Sequence, residues 1–138
     1  MKTTLISKLV FPVLALMFIA LASVPAGAEC LLYRGQFGYD VLAHVQNGVV
    51  LKERFSYTSV SRIEDLLIYD GAYSYNVLAH LDGDIIYGER YGYNVIGRVD
   101  GDKVYDSQFG YNVVARSEGC TKQETAAAGA SLILKLLN

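Results

Sequence analysis

The sequence predicts an all-β fold: a closed, propeller-like five-fold ring of 18-residue β-hairpin repeats, with a short C-terminal helix. Strands from the N- and C-terminal ends complete the fifth unit. Three observations carry this prediction. Segments beginning at Tyr39, Tyr57, Tyr75, Tyr93 and Tyr111 align without a gap at a spacing of 18 residues. Each holds two stretches of alternating polarity around a turn signal. Half-units flank the four whole ones, and Cys30 and Cys120 stand five periods apart.

Composition sets the bounds. The chain has 138 residues, enough for one domain of ordinary size, with a net charge of −2 and 52% hydrophobic residues. That balance excludes a disordered tail and a nucleic-acid binder driven by bulk positive charge. With 13 Gly, 11 Tyr, only 2 Pro and no Trp, the mixture favours strands and turns.

Residues 1–28 read as an export signal. Lys2 and Lys8 precede an apolar run from Leu9 to Ala22, and Val24-Pro25-Ala26-Gly27-Ala28 supplies the small-x-small pattern of a signal-peptidase site. Cleavage after Ala28 places the protein in the periplasm or outside the cell. The competing reading is a retained anchor, since Leu9 to Ala28 offers roughly the 20 residues a bilayer demands. Pro12, Pro25 and the clean cleavage site favour removal. Without Lys2 and Lys8 the chain carries 10 basic and 14 acidic side chains.

Residues 29–120 form the repeat domain. The clearest units are YNVLAHLDGDIIYGERYG (75–92) and YNVIGRVDGDKVYDSQFG (93–110). In the first, Tyr75, Val77, Ala79 and Leu81 alternate onto one apolar face, with Asn76 and His80 on the other. Asp82-Gly83-Asp84 makes the turn, as Asn47-Gly48 does in the first unit. A left-handed parallel β-helix also has an 18-residue coil, but it would want three similar hexapeptides rather than two unlike halves. The unit 57–74 is the most divergent, with Glu64-Asp65 where the others have a Gly turn.

The ends carry the closure argument. Residues 31–38 match the second half of a unit and residues 111–119 the first half, so together they make a fifth. Closure of that kind also removes exposed sheet edges. In an open row of ten strands at ~4.8 Å spacing the ends would lie ~40 Å apart. A disulfide needs Cα atoms within roughly 7 Å, so a Cys30–Cys120 bond requires the ring to close. Export to an oxidising compartment favours that bond; two free or intermolecular thiols are the alternative.

The stretch IYGERYGYNVIGRVDGDKVYDSQFGYNVVARSEG resembles the (I/V)YD-x-x-G-x-x-V-x-R-(I/V)-(D/E) repeat of the five-fold β-flower proteins, small and often exported bacterial proteins. The resemblance covers residues 31–119 and implies their five-fold architecture. It brings no catalytic residues with it.

Recurrent positions separate scaffold from candidate chemistry. The opening Tyr, a closing aromatic (Phe37, Phe55, Tyr73, Tyr91, Phe109) and a third aromatic (Tyr33, Tyr69, Tyr87, Tyr105) read mostly as packing. The small residues Ala43, Ser61, Ala79, Gly97 and Ala115 mark where strands crowd towards an axis. The sixth position holds His44, Arg62, His80, Arg98 and Arg116, which closure would arrange as a cationic ring suited to phosphate, sulfate or an acidic glycan. The plainer reading pairs them with Gln46, Glu64, Asp82, Asp100 and Glu118 on a solvated face.

No catalytic set, metal site or cofactor motif emerges. His44 and His80 lack a third ligand, and the Asp-Gly-Asp turns lack a full calcium-loop set. The expectation is an exported, non-catalytic binding or structural module, with the cationic ring and exposed tyrosines as candidate contacts, a glycan, an anionic polymer or another envelope protein as partner and no nucleic acid. A small hydrolase or lyase acting on such polymers through the histidines is the alternative. Residues 121–138 leave the repeat and suit a short helix, weakened by Gly129, that caps one end of the ring with its apolar side; docking on a partner or a membrane surface is the competing reading.

Overall fold

The computed structural model describes residues 29–137. The expected leader, 1–28, and Asn138 lie outside the described residues. Ten strands follow one another: β1 (Cys30–Arg34), β2 (Val41–Gln46), β3 (Val49–Lys52), β4 (Ser59–Glu64), β5 (Leu67–Asp70), β6 (Val77–Asp82), β7 (Ile85–Gly88), β8 (Val95–Asp100), β9 (Lys103–Tyr105) and β10 (Val113–Glu118). Among the described residues one helix, α1 (Lys122–Ile133), comes last. Each strand pairs antiparallel with its neighbours in the chain, and β1 pairs with β10, which closes the barrel and leaves no free edge.

The even-to-odd connections are two-residue turns at 47–48, 65–66, 83–84 and 101–102. Their first central residues, Asn47, Asp65, Gly83 and Gly101, all take positive φ. At 65–66 the second residue does so as well, and it is Leu66, with φ of 66°. An L-residue with a branched side chain pays for that conformation, so this is the least comfortable of the four turns. Where a fifth turn would fall, Cys30 and Cys120 form a disulfide with Cα atoms 4.6 Å apart.

The odd-to-even connections are longer loops, at 35–40, 53–58, 71–76, 89–94 and 106–112, and all five lie at the opposite end of the barrel. Each joins a pair of strands whose register slips by one residue, leaving Leu42, Val60, Leu78, Ile96 or Val114 as the extra residue of a bulge. The slip reverses which way the side chains before it face. Val77 therefore pairs with Tyr69 on the outer wall, although Ala79 and Leu81, further along β6, are buried inside.

Three layers of side chains line the interior. Leu32, Val50, Ile68, Ile86 and Val104 come from the odd strands. The even strands supply the small set Ala43, Ser61, Ala79, Gly97 and Ala115, and then Val45, Ile63, Leu81, Val99 and Ser117. The small residues crowd towards an axis as expected, and what they crowd is the helix.

Helix α1 begins at a capping box: the Thr121 hydroxyl accepts from the Glu124 amide (3.2 Å), and the Glu124 carboxylate accepts from the Thr121 amide (2.9 Å). Thr125 to Ser131 are all buried. Seven consecutive residues make nearly two turns, so every face of the helix is covered. It packs against β1, β2, β3, β4, β6, β8, β9 and β10, and so runs inside the barrel. This corrects the expectation of a cap over one end. A lumen walled by Ala, Ser and Gly accepts a helix only if the helix is thin, and Ala126-Ala127-Ala128-Gly129-Ala130-Ser131 is thin on all sides. Gly129, expected to weaken the helix, is demanded by the wall: a Cβ there would lie 2.7 Å and 2.8 Å from the two methyls of Val104.

Two hydroxyl pairs fix the helix within its sheath. Ser61 donates to Ser131 Oγ at 2.6 Å, while Ser131 donates to the Ala127 carbonyl. Ser117 pairs with Thr125 at 2.8 Å. Ser61 and Ser117 depart from the apolar residues at equivalent positions, and each departure meets a hydroxyl on α1. Buried hydroxyls without such partners would cost about 1–3 kcal/mol each.

Candidate functional site

The five loops at one end form the site. Each carries an aromatic pair two residues apart around Gly or Ser: Phe37 and Tyr39, Phe55 and Tyr57, Tyr73 and Tyr75, Tyr91 and Tyr93, Phe109 and Tyr111. All ten side chains are between 79% and 93% exposed. The sequence suggested packing for most of these residues, with exposed tyrosines as candidate contacts. They stand outside it because they lie in the loops, beyond the strand ends and the bulges that reverse the facing of the chain. Ten aromatic side chains left in water on one end of a small barrel make an exposed patch of the sort that marks an interaction site.

The cationic positions explain how the loops keep their shape. His44, Arg62, His80, Arg98 and Arg116 sit on the outer wall of the even strands. Each reaches the loop that follows the neighbouring odd strand. Arg62 donates to the carbonyls of Ala72 (3.0 Å) and Ser74 (2.9 Å), Arg98 to Gly110 (3.0 Å), and Arg116 to Gly38 (2.9 Å). His44 and His80 donate through Nδ1–H to the carbonyls of Glu53 and Glu89. Ser74, Gly110 and Gly38 are the residues between the paired aromatics, so each arginine grips its loop at the middle of the pair.

The third aromatic forms the bed on which these side chains lie. The guanidinium carbons of Arg62, Arg98 and Arg116 sit 4.2, 4.1 and 4.3 Å above the rings of Tyr69, Tyr105 and Tyr33. His80 stacks on Tyr87 with centroids 5.0 Å apart. These pairs face one another directly across neighbouring strands. His44 faces Leu51 instead, the one position where the third aromatic is replaced, and it is also the most buried of the five. A cation sandwiched between a ring and a carbonyl gains from both contacts.

The pairing with acids two residues along forms at Arg62–Glu64 (3.4 Å) and Arg116–Glu118 (2.8 Å). The carboxylates in both pairs are largely exposed, so these contacts contribute little. The five positions thus lie around the outer wall and each gives at least one hydrogen bond to a loop carbonyl, while the buried Arg98 Nε has no partner.

Grooves separate neighbouring loops. One of about 500 Å³ is lined by Asn76, Val77, Glu89, Arg90, Tyr91 and Gly92. A second, of about 450 Å³, lies between the start of β10 and the end of β1, where Arg34, Asp106 and Asn112 meet Leu132 and Ile133 of the helix. Asn112 donates to Asp106 at 3.0 Å across it. The opposite end of the barrel differs in character: Glu64, Asp65, Asp82, Asp84, Asp100, Asp102 and Glu118 gather around the tight turns, with Lys122 pairing to Asp84 at 2.9 Å.

Among the described residues no group of three His, Cys, Asp or Glu side chains is placed to hold a metal ion, and no helix is long and apolar enough to cross a membrane. The ten loop aromatics carried a readable signal of their place outside the packing: each pair brackets Gly or Ser next to Asn, Asp or Thr, which is turn chemistry rather than strand chemistry. Comparison with family models, with curated proteins and with solved structures returns no match.

Proposed function

We propose that this protein is an exported, non-catalytic binding module of the cell envelope or extracellular space, built on a five-fold arrangement like that of the β-flower proteins. Its contact surface is the loop end of the barrel. The observation that carries the reading is the exposure of ten aromatic side chains, in five alike pairs, on loops held by three arginines stacked on tyrosine rings and by two histidines. Rigid aromatics flanked by Gly, Ser and Asn give large contact area at low entropic cost, as they do in other recognition loops. The Cys30–Cys120 bond and the apolar leader of the sequence support export.

Under this reading the cations position the loops rather than meet the ligand themselves. The test is retention on envelope material from the source cells. Replacing Tyr39, Tyr57, Tyr75, Tyr93 and Tyr111 together with Ser abolishes retention while the barrel stays folded by circular dichroism. Retention unchanged in that variant sinks the assignment of the loop end.

One observation favours the alternative of a small hydrolase or lyase: a groove on the outer wall brings Glu29, His44, Arg54 and Tyr57 together. New reducing ends released from a glycan or anionic polymer, and lost in His44→Gln, would establish it.

A further inference from the structure

The grooves between loops repeat the same chemistry. Between β6 and the loop after β7, an amide (Asn76), a carboxylate (Glu89) and a guanidinium (Arg90) stand beside the Tyr91 ring. Between β10 and β1, Asn112, Asp106 and Arg34 bring the same three groups together, here beside the aliphatic side chains of Val113, Val114, Leu132 and Ile133. Exposed acceptors and donors along a groove, with the Tyr91 ring alongside in the first of them, match a sugar ring: hydroxyls at its edge and an apolar C–H face above.

We propose that these grooves bind a neutral polysaccharide, its sugar rings stacked on the loop aromatics and its hydroxyls bonded to the amide, carboxylate and guanidinium groups between them. The proposal rests on the loop end being the contact surface. Charge decides against an acidic polymer. The five loops carry Asp40, Glu53, Glu89 and Asp106 against Arg54 and Arg90, and the cations of the wall are directed to loop carbonyls. Composition decides against a bilayer, since the loops contain no Leu, Ile, Val, Met or Trp and set carboxylates among the aromatics. Repetition decides against a single protein epitope, because five alike aromatic pairs suit a ligand that itself repeats. Weak single sites then sum by avidity, so a long chain binds about 100-fold more tightly than a short fragment of it.

Affinity electrophoresis of the oxidised protein tests this, with dextran, mannan and a soluble β-glucan as probes, alginate as the acidic polymer and phosphatidylglycerol vesicles as the lipid. Retardation by at least one neutral polysaccharide is expected, unchanged between about 0.1 M and about 1 M salt. Tyr91→Ser with Tyr93→Ser weakens it about tenfold, and Asn76→Ala weakens it in part. Retardation by none of the neutral polysaccharides, binding to alginate or vesicles alone, or indifference to the tyrosine substitutions overturns the proposal. If the five-tyrosine variant has lost envelope retention while no neutral polysaccharide binds, the sugar is the wrong ligand and the loop end still the right surface. If that variant keeps envelope retention, both readings fall.

Discussion

The two ends of the barrel are joined by the same ten strands and yet share almost nothing. At one end the chain turns in two residues, the side chains are acidic, and a disulfide takes the place of a fifth turn. At the other the connections run to six or seven residues, carry ten exposed aromatics and are held from outside by cations lying on tyrosine rings. The turn end spends its residues on closing the fold. The loop end spends them on a surface. A closed antiparallel barrel permits this division because odd-to-even and even-to-odd connections never mix ends, so one set can elongate without disturbing the other.

The comparison yields expectations that run from large effects on stability to small ones. Replacing Cys30 and Cys120 with Ser removes the covalent closure and should lower unfolding free energy by about 4 kcal/mol in the chain-entropy model, read from urea titration. Gly129→Leu drives a side chain into Val104 from the helix side and should cost about 3 kcal/mol by the same titration. Arg98→Met should cost about 1–2 kcal/mol, with faster amide exchange confined to residues 106–112, because it releases the Gly110 carbonyl and the Tyr105 face. A loss of protection spread over the whole barrel would break the distinction between wall and loop. At the turn end, Leu66→Gly should raise stability by about 1 kcal/mol, since the positive φ of the second turn residue then carries no steric cost. Smallest of all, Tyr57→Ser with Tyr93→Ser should shift the urea midpoint by less than about 0.5 kcal/mol in equivalent free energy, as fits side chains left largely in water.

Much of the barrel was legible in the chain. A closed antiparallel sheet followed by a short helix was anticipated, and the cysteine separation called for Cys30 to reach Cys120. The five small residues announced crowding at an axis. What the sequence hid followed from two physical facts. A one-residue bulge reverses facing, so Tyr75 and Val77, grouped by parity with Ala79 and Leu81, end up elsewhere. Recurrence, moreover, records that positions are equivalent, not whether they are inside; an aromatic repeated five times looks the same in a core as on a rim. The interior position of the helix was hidden for a different reason. Ala126 to Ser131 has no polar face to set against an apolar one, and a helix with small residues all round reads as a weak amphipath when it is in fact a fully enclosed one.

Threading gives the disulfide a consequence of another kind. Residues 30–120 form a covalent loop that passes once around the barrel axis, and the chain after Cys120 turns back through that loop as α1. The oxidised molecule is therefore a lasso, with its tail drawn through its own noose. Reduced chains can wrap the barrel around a helix already in place, whereas oxidised unfolded chains must pass the tail through a closed ring to regain the native form. A bulky folded domain appended after the helix should leave refolding of the reduced protein untouched and stop refolding of the oxidised one. Order of events would then matter as much as energy: helix in, wall around it, bond last.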